Sequence, residues 1–302
     1  MVDLIIIGAG PAGITAGIYA ARKKIDSLIL SKDVGGQTIL SADVENYTGY
    51  QFITGPELVE KFDEHLKQFN VPFKRGEEVK RVTKTEKGSF FVETAQGSYE
   101  GRSVIVASGR RSRLLGAKGE DFFRNKGISY CATCDGPLFA KKTVAVVGGG
   151  NSAFDAVLQM MHIAEKVYLI NINPSLGGDQ IMREKVEAAA NVEILNNGVT
   201  KEILGDQFVR ALKVEQVGVL KEIAVQGVFV EIGSVPNSNF IEGVAKNKTG
   251  EIIVDNLNRT NIPGLFAAGD VTDIPEKQII VAAGEGAKAV LGAFRYLSRE
   301  LK

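Results

Sequence analysis

The stretch VDLIIIGAGPAGITAGIYAARKKIDSLIL, residues 2–30, decides the fold of this chain. It reads as an apolar strand, a glycine turn, a helix and a second apolar strand. The same succession returns as KTVAVVGGGNSAFDAVLQMMHIAEKVYLI, residues 142–170, and the two copies align residue for residue. An internal repeat of this kind predicts two similar α/β units in one chain.

Each copy carries the GxGxxG/A pattern directly after a strand and at the start of a helix. The pattern residues are Gly8, Gly10 and Gly13 in the first copy and Gly148, Gly150 and Ala153 in the second. The first glycine makes the tight turn, the second lets the backbone approach a pyrophosphate, and the third position lets the helix pack closely on the strand. The phosphates then lie at the helix N-terminus. One such pattern is weak evidence, but two in register predict two bound dinucleotides.

An acidic residue for the adenosine ribose is expected about 20 residues after the glycines, at the end of the second strand. Ser31 and Asn171 stand at these places. Neither is acidic, so ribose binding would use a neutral hydrogen bond or a neighbouring loop. Residues 171–174 also offer no positive charge for a 2′-phosphate, and the next arginine is Arg183.

The composition argues against several classes of function. Lys+Arg and Asp+Glu both number 36, so the net charge is zero and a nucleic-acid partner is not expected. The N-terminus lacks a basic lead, and its apolar run, residues 4–7, is far shorter than a signal peptide or a membrane span requires. The length predicts about two domains, and the expected location is the cytoplasm, with no membrane partner.

The only two cysteines, Cys131 and Cys134, lie in YCATCDGPLF, residues 130–139. The pair could be a metal clip, a structural disulfide or a redox centre. A reducing cytoplasm disfavours a static disulfide. Zinc needs about four ligands, and outside the pair only the isolated His65 and His162 remain. The residues therefore favour a redox centre and no metal site.

Four motifs now stand in a characteristic order: residues 8–13 (GAGPAG), 131–136 (CATCDG), 148–153 (GGGNSA) and 269–270 (GD). With them the chain resembles the low-molecular-weight thioredoxin reductases and the related flavoprotein reductase of the alkyl hydroperoxide reductase system (AhpF-like core). The stretches GEIIVDNLNRTNIPGLFAAGDV, KQIIVAAGEGAKA and GDQI are more similar to the second, peroxiredoxin-reductase branch. That branch normally has an extra N-terminal thioredoxin-like domain, so the resemblance implies a stand-alone reductase core.

The resemblance implies an α/β fold with two Rossmann-like dinucleotide-binding domains of the three-layer ββα type, the second inserted in the first. The FAD-binding domain would comprise residues 1–113 and 240–302. The NAD(P)H-binding domain, residues 114–239, would carry the CxxC motif. The family mechanism also implies a rotation of the domains about crossings near residues 110–117 and 235–240.

The resemblance further assigns the cofactor-binding residues. For FAD they are Gly8, Gly10, Pro11, Ala12, Gly13, Ser31, Gly36, Gln37, Thr38, Asn46, Ala107, Gly109, Gly269, Asp270, Gln278 and Ile279. For NAD(P)H they are Gly148, Gly150, Asn151, Ser152, Ala153 and Asn171. A helix that starts at Gln278 and Ile279 beside the flavin suits the chemistry, because a helix N-terminus favours the negative charge of a reduced flavin.

By the same resemblance, a reduced nicotinamide passes hydride to the flavin, which reduces a Cys131–Cys134 disulfide. Cys134 would face the flavin, Cys131 would attack the disulfide of a partner protein, and Asp135 would act as general acid or base. A CxxC pair suits this chemistry because its sulfurs can close a disulfide with little backbone change.

The electron donor and the partner are less narrowly determined. NADH ranks first because Asn171 could bind a 2′-hydroxyl, another donor such as reduced ferredoxin ranks second, and NADPH ranks last. The expected partner is a thioredoxin or glutaredoxin-like protein, and the family implies a homodimer. The alternatives are a stand-alone peroxiredoxin-system reductase, a ferredoxin-linked thioredoxin reductase, and a flavin electron-transfer or sensor protein that does not turn over disulfides.

Overall fold

The computed structural model describes residues 1–40, 44, 46–124, 126–130 and 132–300, and its chain divides into two units. Unit 1 comprises Met1–Arg111 and Val235–Lys302, and unit 2 comprises Ser112–Ser234. Unit 2 is thus inserted between the two segments of unit 1, in agreement with the predicted topology.

Unit 1 is built on a seven-stranded sheet. Its strands are β1 (Val2–Ile7), β2 (Ser27–Ser31), β3 (Phe73–Arg75), β4 (Val79–Lys84), β5 (Phe90–Thr94), β6 (Ser98–Val106) and β17 (Leu265–Ala267). Its helices are α1 (Pro11–Arg22), α2 (Gly55–Lys67) and α7 (Ile279–Glu300). The strand order is β3-β2-β1-β6-β5-β4, and β17 also pairs with β6. The β1–β2, β1–β6 and β6–β17 pairs are parallel, whereas β4, β5 and β6 are antiparallel.

The apolar run of β1 is explained by burial on both faces of the sheet. Leu4 and Ile6 pack with the residues of α1 and α7. Ile5 and Ile7 point the other way and pack with residues of β4 and β5. Alternate side chains of one strand thus join a helical layer to an antiparallel layer, which gives the three layers that the resemblance implied.

Unit 2 repeats this plan around a five-stranded parallel sheet of order β11-β10-β9-β15-β8. The strands are β8 (Ile128–Ser129), β9 (Thr143–Val147), β10 (Lys166–Asn171), β11 (Val192–Asn196) and β15 (Gly227–Val230). A three-stranded antiparallel sheet consists of β12 (Gly198–Gly205), β13 (Val209–Gln216) and β14 (Val219–Ala224). The helices are α3 (Glu120–Phe123), α4 (Ala132–Asp135), α5 (Asn151–Ile163) and α6 (Gln180–Ala188). The predicted class, two Rossmann-like α/β units, is confirmed.

The two crossings between the units run through β7 (Arg110–Ser112) and β16 (Ser234–Pro236), which pair with each other. Sequence placed the boundaries at residues 113–114 and 239–240, later along the chain. Hydrogen bonds account for the difference. The Arg113 N–H donates to Gly233 O at 3.0 Å within unit 2, and the Asn237 N–H donates to Gly109 O at 2.9 Å within unit 1.

No helix in the described ranges is both long enough and apolar enough to cross a membrane.

Helices α1 and α7 pack at backbone distance. A side-chain carbon at Gly286 of α7 would lie 2.0 Å from Ala12 O of α1, whereas one at Gly284 would meet nothing within 4 Å. Gly286 therefore allows the close approach of the two helices, and the exposed Gly284 has no such role.

We expect Gly286→Ala and Gly284→Ala to change stability in opposite directions. Gly286→Ala should lower the free energy of unfolding by about 1–3 kcal/mol, because the helices must separate to accept the methyl group. Gly284→Ala should raise it by about 0.5–1 kcal/mol, because alanine is the better helix former. Urea unfolding followed by far-UV circular dichroism measures both, and equal effects would contradict the packing argument.

Candidate dinucleotide sites and redox motif

The glycine turn after β1 has room for a ligand at one position only. A side-chain carbon at Gly8 would lie 2.3 Å from Ala107 O, and one at Gly13 would lie 1.9 Å from Gly8 O. These two glycines are required by the packing of the protein on itself. At Gly10 the nearest atoms would be 3.9 Å away or more, so its surface stays open for the approach of a phosphate.

Helix α1 begins at this turn without a side-chain cap on its N-terminus. Helix α2 provides the contrast, because Thr54 and Glu57 form a capping box there: the Glu57 N–H donates to Thr54 Oγ1 at 3.4 Å and the Thr54 N–H donates to Glu57 Oε2 at 3.0 Å. The first backbone N–H groups of α1 are therefore left for an anion. The geometry fits a dinucleotide pyrophosphate.

Ser31, at the end of β2, supports the turn from below. Its hydroxyl accepts the Ala9 N–H at 3.1 Å and donates to Asp33 O at 2.7 Å. The side chain is buried, so its hydroxyl is engaged in positioning the glycine turn.

The other residues predicted for FAD lie in the same unit, mostly at the carboxyl ends of its parallel strands. Gly36, Gln37 and Thr38 belong to a 3₁₀ helix, Gly36–Leu40, after β2. Asn46 Nδ2 donates to Gln278 Oε1 at 3.2 Å, which brings two positions 232 residues apart to the start of α7 at Ile279. The full set in unit 1 is Gly8, Gly10, Pro11, Ala12, Gly13, Ser31, Gly36, Gln37, Thr38, Asn46, Ala107, Gly109, Gly269, Asp270, Gln278 and Ile279.

A charged cluster beside Asp270 was not predicted from the sequence. Burial raises the pKa of Asp270, and the positive charges of Lys277 and Arg110 oppose this rise. Glu251 holds both cations: it pairs with Arg110, and Lys277 Nζ lies 3.1 Å from its Oε1. Burial favours the neutral form of Glu251, but hydrogen bonds from Asn247, Lys277 and Arg110 bring its pKa down to about 2. Arg110 and Glu251 are 141 residues apart, so no local pattern could reveal the pair.

The second glycine turn, after β9, repeats the first. A side-chain carbon at Gly148 would lie 2.2 Å from Glu231 O, whereas one at Gly150 would meet nothing within 4 Å. Helix α5 begins at Asn151 without a side-chain cap, and Ala153 is buried where the helix packs. This turn also fits a pyrophosphate. The Asn151 side chain accepts the Asp179 N–H at 2.7 Å, and Ser152 beside it is exposed.

Asn171, where a ribose contact was predicted, is completely buried. Its Nδ2 donates to Asn196 Oδ1 at 2.8 Å and to Asn173 O at 3.1 Å, and its Oδ1 accepts the Asn173 N–H at 3.2 Å. The carboxamide thus closes a turn at the end of β10. The following residues 172–178 carry no charge, and Arg183 lies 4.0 Å from Glu187 on α6.

The CxxC motif lies on the short helix α4, which continues into a 3₁₀ helix, Gly136–Phe139. Cys131 lies outside the described residues, and only the backbone of Cys134 is described. Ala132 is buried in a cluster with Phe139 and residues of α5. Asp135 ends α4 and is half-buried.

The residue before the motif is tied to the chain that enters unit 2. The Tyr130 hydroxyl donates to Glu120 Oε1 at 2.6 Å, and the buried Glu120 also accepts the N–H groups of Leu115 and Gly116 at 2.8 and 2.7 Å. Burial and the Glu120 carboxylate raise the pKa of Tyr130, so its hydroxyl stays a donor. This connection was also not visible in the sequence.

Within the ranges that the structure describes, no three His, Cys, Asp or Glu side chains are arranged to hold a metal ion.

Comparison with known proteins agrees with this geometry. A family model described as pyridine nucleotide-disulphide oxidoreductase matches residues 2–286, and the chain belongs to this family. The family implies an FAD and a nicotinamide cofactor. The predicted resemblance to thioredoxin reductases and to the alkyl hydroperoxide reductase flavoprotein is confirmed by the relatives that follow.

A protein named NADH dehydrogenase from Bacillus subtilis (strain 168) is 41% identical over 301 residues, which cover 98% of this chain and 59% of the relative. The F component of alkyl hydroperoxide reductase from Escherichia coli (strain K12) is 41% identical over 304 residues, which cover 98% and 58%. The chain thus spans less than two thirds of the length of these relatives. The crystal structure of Lactococcus lactis thioredoxin reductase matches with a TM-score of 0.84 at 32% identity and covers 99% of this chain and 100% of that chain.

We expect Asn171→Leu to lower the free energy of unfolding by about 2–4 kcal/mol, because it leaves the Asn173 N–H and the Asn196 side chain without their buried partner. Asn173→Ala is the matched control. Asn173 contributes its backbone to the turn, so this change should shift stability by no more than about 0.5 kcal/mol. Urea unfolding measures both variants, and an equal loss would show that the Asn171 carboxamide does not hold the turn.

Proposed function

We propose that this chain is a flavin-dependent disulfide reductase that passes electrons from a reduced nicotinamide through FAD to the Cys131–Cys134 pair and on to a partner protein. The observation that carries the proposal is the pair of open glycine turns, one in each unit, in a chain that also has a CxxC motif. When bound, FAD would supply the two-electron chemistry between the nicotinamide and the disulfide.

The residues of unit 1 would bind and orient the flavin nucleotide. The turn of residues 8–13 would hold the pyrophosphate on the N-terminus of α1. Asp270 would bind the ribityl chain, while Lys277 and Arg110 beside it favour its charged form. The start of α7, where Asn46 and Gln278 meet, would face the flavin ring. Backbone N–H groups at this helix start favour negative charge there.

The residues of unit 2 would bind the nicotinamide nucleotide on the turn of residues 148–153 and carry out the thiol chemistry. The thiolate of Cys131 would attack a partner disulfide and release one partner thiolate, which takes a proton. Cys134 would then attack the sulfur of Cys131, which releases the second partner thiolate and closes the Cys131–Cys134 disulfide. Asp135 would transfer the protons.

NADH is the favoured donor. The 2′-phosphate of NADPH needs a cation near the end of β10, and residues 172–178 provide none. The name of the B. subtilis relative, NADH dehydrogenase, agrees with this choice. The engagement of the Asn171 side chain within unit 2 means that a ribose contact would come from another group. Reduced ferredoxin is the second candidate, and NADPH ranks last.

The favoured partner is a thioredoxin or glutaredoxin-like protein in the cytoplasm, reduced by a homodimer of this chain. The name of the L. lactis structure supports a thioredoxin. The name of the E. coli relative supports a peroxiredoxin system instead, and that is the second candidate.

An anaerobic titration tests the donor. We expect NADH to bleach the flavin absorbance at low micromolar concentration, and NADPH to require much more nucleotide because its 2′-phosphate meets no cation. Reduced ferredoxin, titrated side by side, is the comparison for the second candidate. Bleaching by NADPH alone, or by neither nucleotide, would remove NADH as the donor, and bleaching by none of the three would favour a flavin protein without turnover.

Cys134→Ser tests the disulfide relay. The variant should lose reduction of thioredoxin while the flavin is still reduced by the donor, because the flavin site is intact and the disulfide is absent. It retains Cys131, so it should accumulate a mixed disulfide with the partner, which mass spectrometry detects. The matched variant Cys131→Ser should form no such adduct. Thioredoxin reduction that survives in Cys134→Ser would rule out the relay.

A further inference from the structure

Glu231 lies between the second glycine turn and the CxxC motif. It directly follows β15, whose neighbours in the sheet are β9 and β8. Its N–H donates to Val147 O at 2.8 Å, and its carbonyl oxygen would lie 2.2 Å from a side-chain carbon at Gly148. On the other side Phe229 pairs with Ser129, two residues before Cys131 in the sequence. Two functional elements therefore meet at this one residue.

The side chain of Glu231 points to the motif. Its carboxylate accepts the backbone N–H of Ala132, the first residue of α4. Ala132 follows Cys131 directly and is buried, so a charge on Glu231 lies within a few bonds of the motif's first cysteine.

The ionisable neighbours of Glu231 are few. The strands β9 and β8 beside it contain no ionisable side chain. Helix α5 contributes Asp155, whose negative charge acts on Glu231. Helix α4 carries Cys134 and Asp135 of the motif itself.

Burial raises the pKa of Glu231 to about 7 against the lowering effect of the Ala132 N–H, and Asp155 raises it further. A carboxyl group with this pKa gains or loses its proton readily near neutral pH.

We propose that Glu231 takes up a proton when the Cys131–Cys134 disulfide is reduced and so controls the ionisation of the motif's thiols. The inference deepens the proposed function and rests on it in one respect, that the two cysteines form a redox disulfide. It assigns Glu231 a positioning role for charge, since it acts through the thiols and touches the motif at Ala132.

The proton balance gives the physical reason. Two electrons and one proton from the reduced flavin break the S–S bond and leave one thiol and one thiolate. Where Glu231 begins as a carboxylate, the new thiolate repels it, and it takes a second proton from solvent. The disulfide and carboxylate together then gain two electrons and two protons, and their total charge stays at one negative unit. A half-buried site thereby avoids holding two adjacent anions.

The test uses the purified, flavin-loaded protein, reduced anaerobically with dithiothreitol and then freed of it. The rate of alkylation of the motif by iodoacetamide is followed by mass spectrometry from pH 5 to pH 9. Glu231→Gln keeps an oxygen for the Ala132 N–H and removes the charge. At pH 5 both proteins carry a neutral group at this position and should react equally. Between pH 7 and 8 the variant should react about 3–10 times faster, because the wild-type carboxylate raises the thiol pKa.

Two further variants complete the test. Glu215→Gln removes one partly exposed carboxylate from β13 of the same unit and should give the wild-type profile at every pH. Asp155→Asn removes the repelling neighbour, so Glu231 should ionise at lower pH and slow alkylation from a lower pH onward.

Identical profiles for wild type and Glu231→Gln, or a rate ratio that stays constant from pH 5 to 9, would overturn the inference. This failure is distinct from failure of the proposed function. Alkylation reports the thiols without any partner, whereas partner reduction by Cys134→Ser tests the relay. Loss of partner reduction in Cys134→Ser together with unchanged alkylation in Glu231→Gln would leave the relay intact and remove only the role of Glu231.

Discussion

Both units depend on backbone atoms that approach more closely than any side chain allows. At Gly8 the turn after β1 lies against Ala107 at the end of β6, and at Gly13 helix α1 lies against the turn itself. These contacts fix where α1 begins relative to the sheet. The helix N-terminus, with its unsatisfied N–H groups, is therefore held at the carboxyl edge of the parallel strands, where nucleotides bind in sheets of this type.

The second unit applies the same constraint to a different end. Gly148 lies against Glu231, so the turn that would bind a nucleotide is built against the residue whose carboxylate reaches the CxxC helix. In unit 1 the corresponding contact is a plain alanine carbonyl. The repeat thus supplies two equivalent turns, and a single side chain beside the second one links it to thiol chemistry.

Buried charges organise the rest of both sites. In unit 1 Glu251 holds Arg110 and Lys277, and these cations offset the cost of burying Asp270. In unit 2 Glu120 gathers the Tyr130 hydroxyl and two backbone N–H groups from the entering chain. A buried carboxylate is expensive unless it is hydrogen-bonded or paired, so each one fixes the segments that satisfy it.

The sequence by itself determined the class of fold, the two glycine turns and the redox motif, because these depend on local spacing: a strand, a turn and a helix within 29 residues. It also located the crossings to within a few residues. Only the tertiary structure decided the roles of Asn171, Glu231 and the Arg110–Glu251 pair. Sequence chemistry offered Asn171 as a ribose ligand, whereas the fold buries it against Asn196, on a strand that pairs with its own. The physical reason is that burial and pairing depend on which segments meet in space, and these partners lie 25 to 141 residues apart in the chain.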